Sequence, residues 1–351
     1  MTSKKRQVIG GVDTHRDTHH AAVIDSAGGL VGDAEFPANA AGYAAMLAWL
    51  RGHGRLDKVG IEGTGSYGAG LARFLSAAKV AVVEVNCPDR ASRRANGKSD
   101  PLDAIAAARA TLAGVAAGVP KARTGPVEAI RTLRVTRRGA VKARTAAVNQ
   151  MRGLIAAAPE PLREHLHRLS LPNLLNRCQQ LSYEGEALHD PTHATAAALT
   201  LLAARVAALN SEISILDRQL RPLLHAAAPR TCALFGVGPD VAGQLLTTAG
   251  DNPDRLRSEA ALARLCGAAP IPASSGQTHR HRLHRGGDRG ANHALHTIAL
   301  CRLRYDPRTR AYAARRTKQG LTGAEILRCL KRYIVREVYT ALRADFFALT
   351  T

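Results

Sequence analysis

The sequence predicts an α/β domain at the N-terminal end followed by a largely helical remainder, and three observations carry that expectation. Residues 7–85 alternate short apolar runs, turn signals and helical stretches, while from about Pro120 the pattern changes to long helical periods over 126–158 and 199–224. Two acids, Asp13 and Glu62, stand where apolar runs end, and two more, Asp100 and Asp103, open a later helix. The resulting divisions are 1–120, an α/β domain; 121–228, a basic helix and helical connector; and 229–351, a mainly α-helical domain.

Each element follows from local chemistry. Val8-Ile9-Gly10-Gly11-Val12 is an apolar run closed by Asp13, and Ala21-Ala22-Val23-Ile24 is a second, closed by Asp25. The turn signal Ala27-Gly28-Gly29 leads to a third, Leu30–Phe36, and links this short make the three an antiparallel meander. Residues 39–51 carry apolar positions at helical spacing with Asn39 as cap. Lys58–Ile61 is a fourth strand ended by Glu62, residues 63–68 turn into a helix through Ala78, and Val80–Val85 is a fifth strand. The glycines of 63–68 lack the Lys-Ser/Thr ending of a phosphate-binding loop, so a tight turn fits them better than nucleotide binding.

In Gly97-Lys98-Ser99-Asp100-Pro101-Leu102-Asp103-Ala104-Ile105, Pro101 sits early in a helix, where its missing N–H costs little, and the two carboxylates lie three residues apart on one face. Ser99 or Asp100 could simply cap the helix, with Asp103 favouring its positive end. The order β-β-β-α-β-α-β-α, with acids after the first and fourth strands and on the last helix, is instead the layout of an RNase H-like nuclease core. A carboxylate cluster in that layout holds one or two divalent cations that activate a nucleophile at a phosphodiester.

Composition agrees with such a partner. With 49 Lys and Arg against 28 Asp and Glu, the formal charge is +21 and the pI about 10.6, which points to a polyanion, nucleic acid first. No signal-peptide pattern opens the chain and no stretch reads as a spanning helix, so the expectation is a soluble protein of the cytoplasm with no membrane partner. The six cysteines form no C-x-x-C pair, which argues against a zinc ribbon. His15, His19, His20, His279, His281 and His284 invite a metal reading, but lying among arginines they fit donors on a polyanion-binding face.

The helix 126–158 carries Arg131, Arg134, Arg138 and Lys142 without local acids after Glu128, an imbalance that favours phosphate contact over a merely solvated face. Leu199, Leu202, Val206, Leu209, Ile213, Leu216, Leu220 and Leu223 alternate spacings of three and four, the seam of a coiled coil, either within the chain as a hairpin with the 126–158 helix or between subunits. Gly236-Val237-Gly238 before Pro239 resembles the turn of a helix-hairpin-helix element, whose backbone N–H groups suit a phosphate. Ser274 and Ser275 lie in a loop that feeds a basic run containing Arg280, Arg282 and Arg285; spacing alone leaves them open between turn formers and nucleophiles.

These motifs, together with Ile61-Glu62-Gly63-Thr64-Gly65, Ala269-Pro270 and Arg285-Gly286-Gly287, resemble the DEDD transposases of one insertion-sequence group, understood as bridge-RNA-guided recombinases. The resemblance implies a RuvC-like domain using Asp13, Glu62, Asp100 and Asp103 with Mg²⁺ or Mn²⁺, a coiled-coil connector, and a C-terminal domain supplying a serine, Ser275 with Ser274 in reserve. It implies donor and target DNA as substrates, a non-coding guide RNA as partner, and a homo-oligomer, dimer or tetramer, joined through the coiled coil in a bacterial cytoplasm at the nucleoid. Two other readings stand beside it: a metal-dependent junction resolvase with structural serines, and a non-catalytic nucleic-acid-binding protein.

Overall fold

A computed structural model of the chain describes residues 6–85, 99–116, 118–182, 188–252, 256–276, 281–282 and 284–350. Strands β1 (Gln7–Thr14), β2 (Thr18–Asp25) and β3 (Leu30–Pro37) form the expected antiparallel meander. Helix α1 (Ala40–Gly52) is capped by Asn39, whose side chain accepts from the Gly42 N–H at 2.9 Å. β4 (Arg55–Glu62) returns parallel to β1; after α2 (Ala69–Ala77), β5 (Ala81–Val85) pairs parallel with β4. The order β3-β2-β1-β4-β5 is a mixed five-stranded sheet of RNase H-like type.

Strand alternation sorts the two faces. Val8, Val12, Val59 and Ile61 are buried with Met46 and Leu50 of α1 and Leu71 and Leu75 of α2. The intervening residues meet α3 (Asp100–Leu112), where Ile9 and Ile24 pack with Ala108. This second interface is built small against small. A Cβ on Gly11 would lie 2.2 Å from the Ala104 carbonyl oxygen, and one on Gly60 would lie 2.0 Å from Thr111 Oγ1. The bare backbone of two adjacent strands therefore lets α3 approach closely. Since Asp13 and Glu62 lie two residues beyond those glycines, they share the α3 face.

The helical part runs α4 (Pro126–Ala156), α5 (Glu160–Leu166), α6 (Leu171–Gln179), α7 (Pro191–Ala227), α8 (Pro229–Cys232), α9 (Pro239–Ala249) and α10 (Glu259–Leu265). A short hairpin, β6 (Ile271–Pro272) with β7 (His281–Arg282), precedes α11 (Arg289–Tyr305), α12 (Pro307–Lys318) and α13 (Gly323–Thr350). The heptad stripe lies on α7 and is filled by α4 of the same chain. Arg137 pairs with Asp217 at 2.5 Å and Arg144 donates to Asn210 at 3.2 Å, so the two helices run antiparallel. Of the eight seam positions only Leu209 and Leu223 are half-buried; the rest are buried.

Met151, Leu166, Leu174 and Cys178 complete that core, and each fully buried aliphatic side chain contributes about 1.5–3 kcal/mol. A heptad stripe demands a cover, and a helix tethered in the same chain supplies it at high effective concentration, so this seam requires no second subunit. α7 has the length of a membrane span and, over one window, a mean hydropathy of 1.4, contrary to the sequence expectation; the buried part of that window, 33% of it, includes the stripe packed on α4.

The chain forms two compact units, Met1–Gly125 with Thr248–Asn292 and Val335–Thr351, and Pro126–Thr247 with His293–Ile334. Within the first unit the Asp251 carboxylate accepts the backbone N–H groups of Arg123, Thr124 and Gly125 at 3.0, 2.9 and 3.3 Å. Burial pushes the Asp251 pKa up, but those donors more than offset it and leave it below the ordinary value. Among the described residues Cys178, Cys232, Cys266, Cys301 and Cys329 form no disulfide; burial pushes Cys178 up to about 11 and Cys266 to about 12.

Candidate metal centre

β1 and β4 are parallel and their pairing ends at Val12 opposite Ile61, which leaves Asp13 and Glu62 side by side at the same edge of the sheet. The Thr14 hydroxyl donates to the Glu62 carbonyl at 2.8 Å and ties the two strand ends together. Opposite them α3 begins. Its residues Asp103, Ala104, Ala107, Ala108 and Thr111 form the buried stripe, and Asp100 heads the same stripe one turn earlier. Asp13 and Asp103 are buried and Asp100 is exposed.

The ring of His15 joins this cluster. Its Nε2 lies 3.0 Å from Asp13 Oδ2 and 3.2 Å from Asp100 Oδ1, so carboxylates from β1 and α3 converge on one imidazole. Ligand atoms of Asp13, His15 and Asp100 all fall within 4.8 Å of one another. Two ligands of one divalent ion stand at most roughly 4–5 Å apart, so this spacing fits a metal. Burial disfavours the charged ring, but Asp13 and Asp100 together outweigh that and raise the His15 pKa. The cluster therefore already attracts positive charge. Glu62 and Asp103 stand on the same face but outside this triplet. His15 had only a weak sequence signal, a place among three nearby histidines. The other two are structural: His19 is buried and stacked on Tyr43, and His20 bonds Asp33 at 2.7 Å.

Ser274 and Ser275 are exposed at the end of the β6–β7 hairpin, just before Gly276, whose φ of +55° suits its lack of a side chain. The hairpin pairs Ile271 with Arg282 and Pro272 with His281. Ile271, Arg282, His284 and Arg285 line a cavity of about 600 Å³. Arg280 lies outside the described residues.

The other basic residues divide by environment. Arg131 pairs with Glu128 on its own helix at 2.7 Å. Arg134 is buried, 3.1 Å from Asp240 and bonded to Gln244 and Thr247 of α9, so its charge is spent inside the protein. Arg138 is exposed but donates to Gln244 at 2.8 Å, and Lys142 is exposed. Gly236, with φ +84°, packs near Ile298 and Cys301 of α11, whereas nothing lies within 4 Å of a Cβ placed on Gly238.

Comparison with known proteins adds the family. A model of the IS110 DEDD type, described as Transposase, matches residues 10–158, and a second, described as Transposase IS116/IS110/IS902 family, matches residues 230–314. The chain is also similar to the Insertion element IS900 uncharacterized 42 kDa protein of Mycobacterium paratuberculosis, 28% identical over 145 residues. That match covers 40% of this chain and 36% of the relative, so it spans about a third of the relative's length.

Proposed function

The chain belongs to the IS110 family of transposases, with an N-terminal DEDD-type domain and the family's C-terminal domain, and on that premise we propose that it cuts and rejoins DNA to move its insertion element. The observation that carries the reading is the convergence of Asp13, His15 and Asp100 at the sheet edge that also bears Glu62. In this proposal Asp13, Asp100, Glu62 and Asp103 hold Mg²⁺ or Mn²⁺, with the His15 ring able to add a nitrogen. Bound there, the metal would supply Lewis acidity to a phosphodiester oxygen.

The rest of the chemistry falls to the chain's own groups. The Ser275 hydroxyl, with Ser274 in reserve, gives up its proton and attacks phosphorus. An ester to the serine oxygen forms as the P–O3′ bond breaks, and the freed 3′-hydroxyl takes a proton. Attack on that ester by another strand's 3′-hydroxyl restores the serine and joins DNA without hydrolysis. Arg282 and Arg285 offset the phosphate's charge. A guide RNA would choose donor and target by base pairing, leaving the protein to recognise backbone and shape, which suits a chain with many arginines and few aromatics. Assembly into a dimer or tetramer belongs to the same reading.

The test uses DNA bearing the ends of the element, with Mg²⁺ or Mn²⁺, resolved on a denaturing gel. Wild type should form a covalent protein–DNA adduct, Ser275→Ala should lose it, and Asp13→Asn or Asp100→Asn should lose cutting altogether. Cutting without any adduct would replace the serine route by metal-assisted hydrolysis. Cutting that survives Asp13→Asn would remove the acidic centre from the reaction. RNA that co-purifies with the protein and is needed for cutting would support the guide.

A further inference from the structure

Helix α12 concentrates charge where local stability does not ask for it. Its twelve residues, Pro-Arg-Thr-Arg-Ala-Tyr-Ala-Ala-Arg-Arg-Thr-Lys, include Arg308, Arg310, Arg315, Arg316 and Lys318 and no acid. Arg308 and Arg310 stand in or beside the first turn, at the positive end of the helix dipole, and Arg315 and Lys318 are like charges one turn apart. A solvated helix ordinarily mixes signs. Among the described residues none of these five cations makes an ion pair; Arg316 donates to the Gln319 side chain at 2.6 Å, and the Arg315 guanidinium lies 5.5 Å from the Tyr312 ring centre.

The helix is also oriented to show that charge. Thr309 is buried and Tyr312, Ala313 and Arg316 are half-buried, which fixes the inner face by its three-and-four spacing. On the outer face Arg308, Ala311, Arg315 and Lys318 form an exposed stripe, with Arg310 and Ala314 beside it. The alanines leave room for a bulky polyanion between the long cationic side chains. Immediately before the helix, Tyr305 is 58% exposed with the Arg304 guanidinium 5.1 Å from its ring centre, a flat surface flanked by charge. An anionic membrane suits this less well, because the opposite face is committed to packing and carries no large aliphatic residue to insert.

We propose that the outer face of α12 docks a phosphodiester backbone through Arg308, Arg310, Arg315 and Lys318, holding nucleic acid without reading its sequence. The proposal rests on the reading of the chain as a protein that handles nucleic acid, and it assigns the contact to a helix distinct from the basic helix α4. The occupant is the backbone of duplex DNA, the polyanion that a transposase handles.

The test compares wild type with the exposed triple variant Arg308→Gln/Arg315→Gln/Lys318→Gln. Affinity for a mixed-sequence DNA duplex, a mixed-sequence RNA hairpin and anionic phospholipid vesicles is measured over a series of salt concentrations. Each lost phosphate contact should lower the slope of log affinity against log salt by about 0.9 on duplex DNA, so the variant should lose roughly two to three units of slope with its melting temperature unchanged. A change confined to the RNA arm overturns the assignment to DNA.

An unchanged slope in both nucleic-acid arms overturns the proposal, as does a loss confined to vesicles. In wild type, phenylglyoxal should modify Arg308 and Arg315 more slowly once nucleic acid is bound; equal rates with and without it overturn the proposal whatever the variant's stability. Wild type that binds neither nucleic acid sinks the transposase reading itself, whereas normal wild-type binding with an unchanged variant slope sinks this proposal alone.

Discussion

Helices α4 and α12 are both rich in arginine, yet they do opposite things with it. α4 lies against α7 and α9, and those neighbours meet its cations: Asp217 pairs with Arg137, Asp240 with Arg134, Asn210 accepts from Arg144, and Gln244 accepts from Arg134 and Arg138. α12 has one shallow inner face, and among the described residues its cations find no carboxylate. A run of cations in a sequence is therefore ambiguous. It becomes internal glue where packed neighbours carry acids and amides, and remains a surface for a polyanion where they do not.

The largest effect that would sharpen this contrast belongs to Arg134, only 8% exposed. Its burial lowers its pKa, against the attraction of Asp240, but an arginine stays charged, and its network of Asp240, Gln244 and Thr247 is what makes burial tolerable. Arg134→Ala should destabilise the fold by about 2–4 kcal/mol, less than a fully enclosed pair because Asp240 is 63% exposed. Gly243→Ala attacks the same network from the other side, since its Cβ would lie 2.6 Å from Arg134 Cδ. The two should therefore be non-additive in denaturant melts, the double variant costing less than the sum. If Arg134→Ala melts like wild type and lowers the salt slope of DNA binding by about one, α4 is a phosphate face after all and the contrast fails.

How far the sequence foretold this follows from which signals are local. The meander, the Asn39 cap and the acids at the strand ends were legible because alternation, turn glycines and caps act within a few residues. His15 was legible only as one of three nearby histidines, because what places its ring between Asp13 and Asp100 is the close approach of α3, and that depends on Gly11 and Gly60 facing Ala104 and Thr111. The stripe on α7 announced that something covers it, and the 126–158 helix was the in-chain candidate that the structure bears out as α4; what the stripe could not decide was whether that helix or a second subunit covers it. The β6–β7 hairpin has two residues per strand, too few for any period. α12 lacks an apolar repeat, and its one usable signal was the Asp306-Pro307 pair that opens a helix. The partners of Arg134 lie 106 or more residues away, out of reach of any local rule.

A smaller effect comes from the exposed half of α4. Arg137→Ala removes a pair with Asp217 that is partly open to water, and about 1 kcal/mol or less should be lost in a thermal melt. Lys142→Gln should leave the melt unchanged because the residue is exposed, and the salt slope then decides its role. A drop of about one unit would give α4 a single working contact beside its structural arginines.

The smallest effect is the most discriminating, because two forces predict opposite signs. Asp306 caps α12, accepting from the Thr309 hydroxyl at 2.6 Å and from the backbone N–H groups of Arg308 and Thr309 at 3.3 and 3.1 Å. The Thr309 hydroxyl, followed by the backbone donors, holds its carboxyl below the ordinary value. A depressed folded-state pKa means that the stabilisation is present above the unfolded value, near 3.9, and is lost as pH falls through the lower one. At neutral pH Asp306→Ala should cost about 0.5–1 kcal/mol and speed amide exchange in the first turn of α12. The substitution also removes a negative charge beside the cationic stripe, which by attraction alone would tighten nucleic-acid binding. If binding weakens instead, the ordered helix matters more than its net charge. If it tightens, α12 contributes charge whatever its shape, and its difference from α4 reduces to the absence of nearby acids.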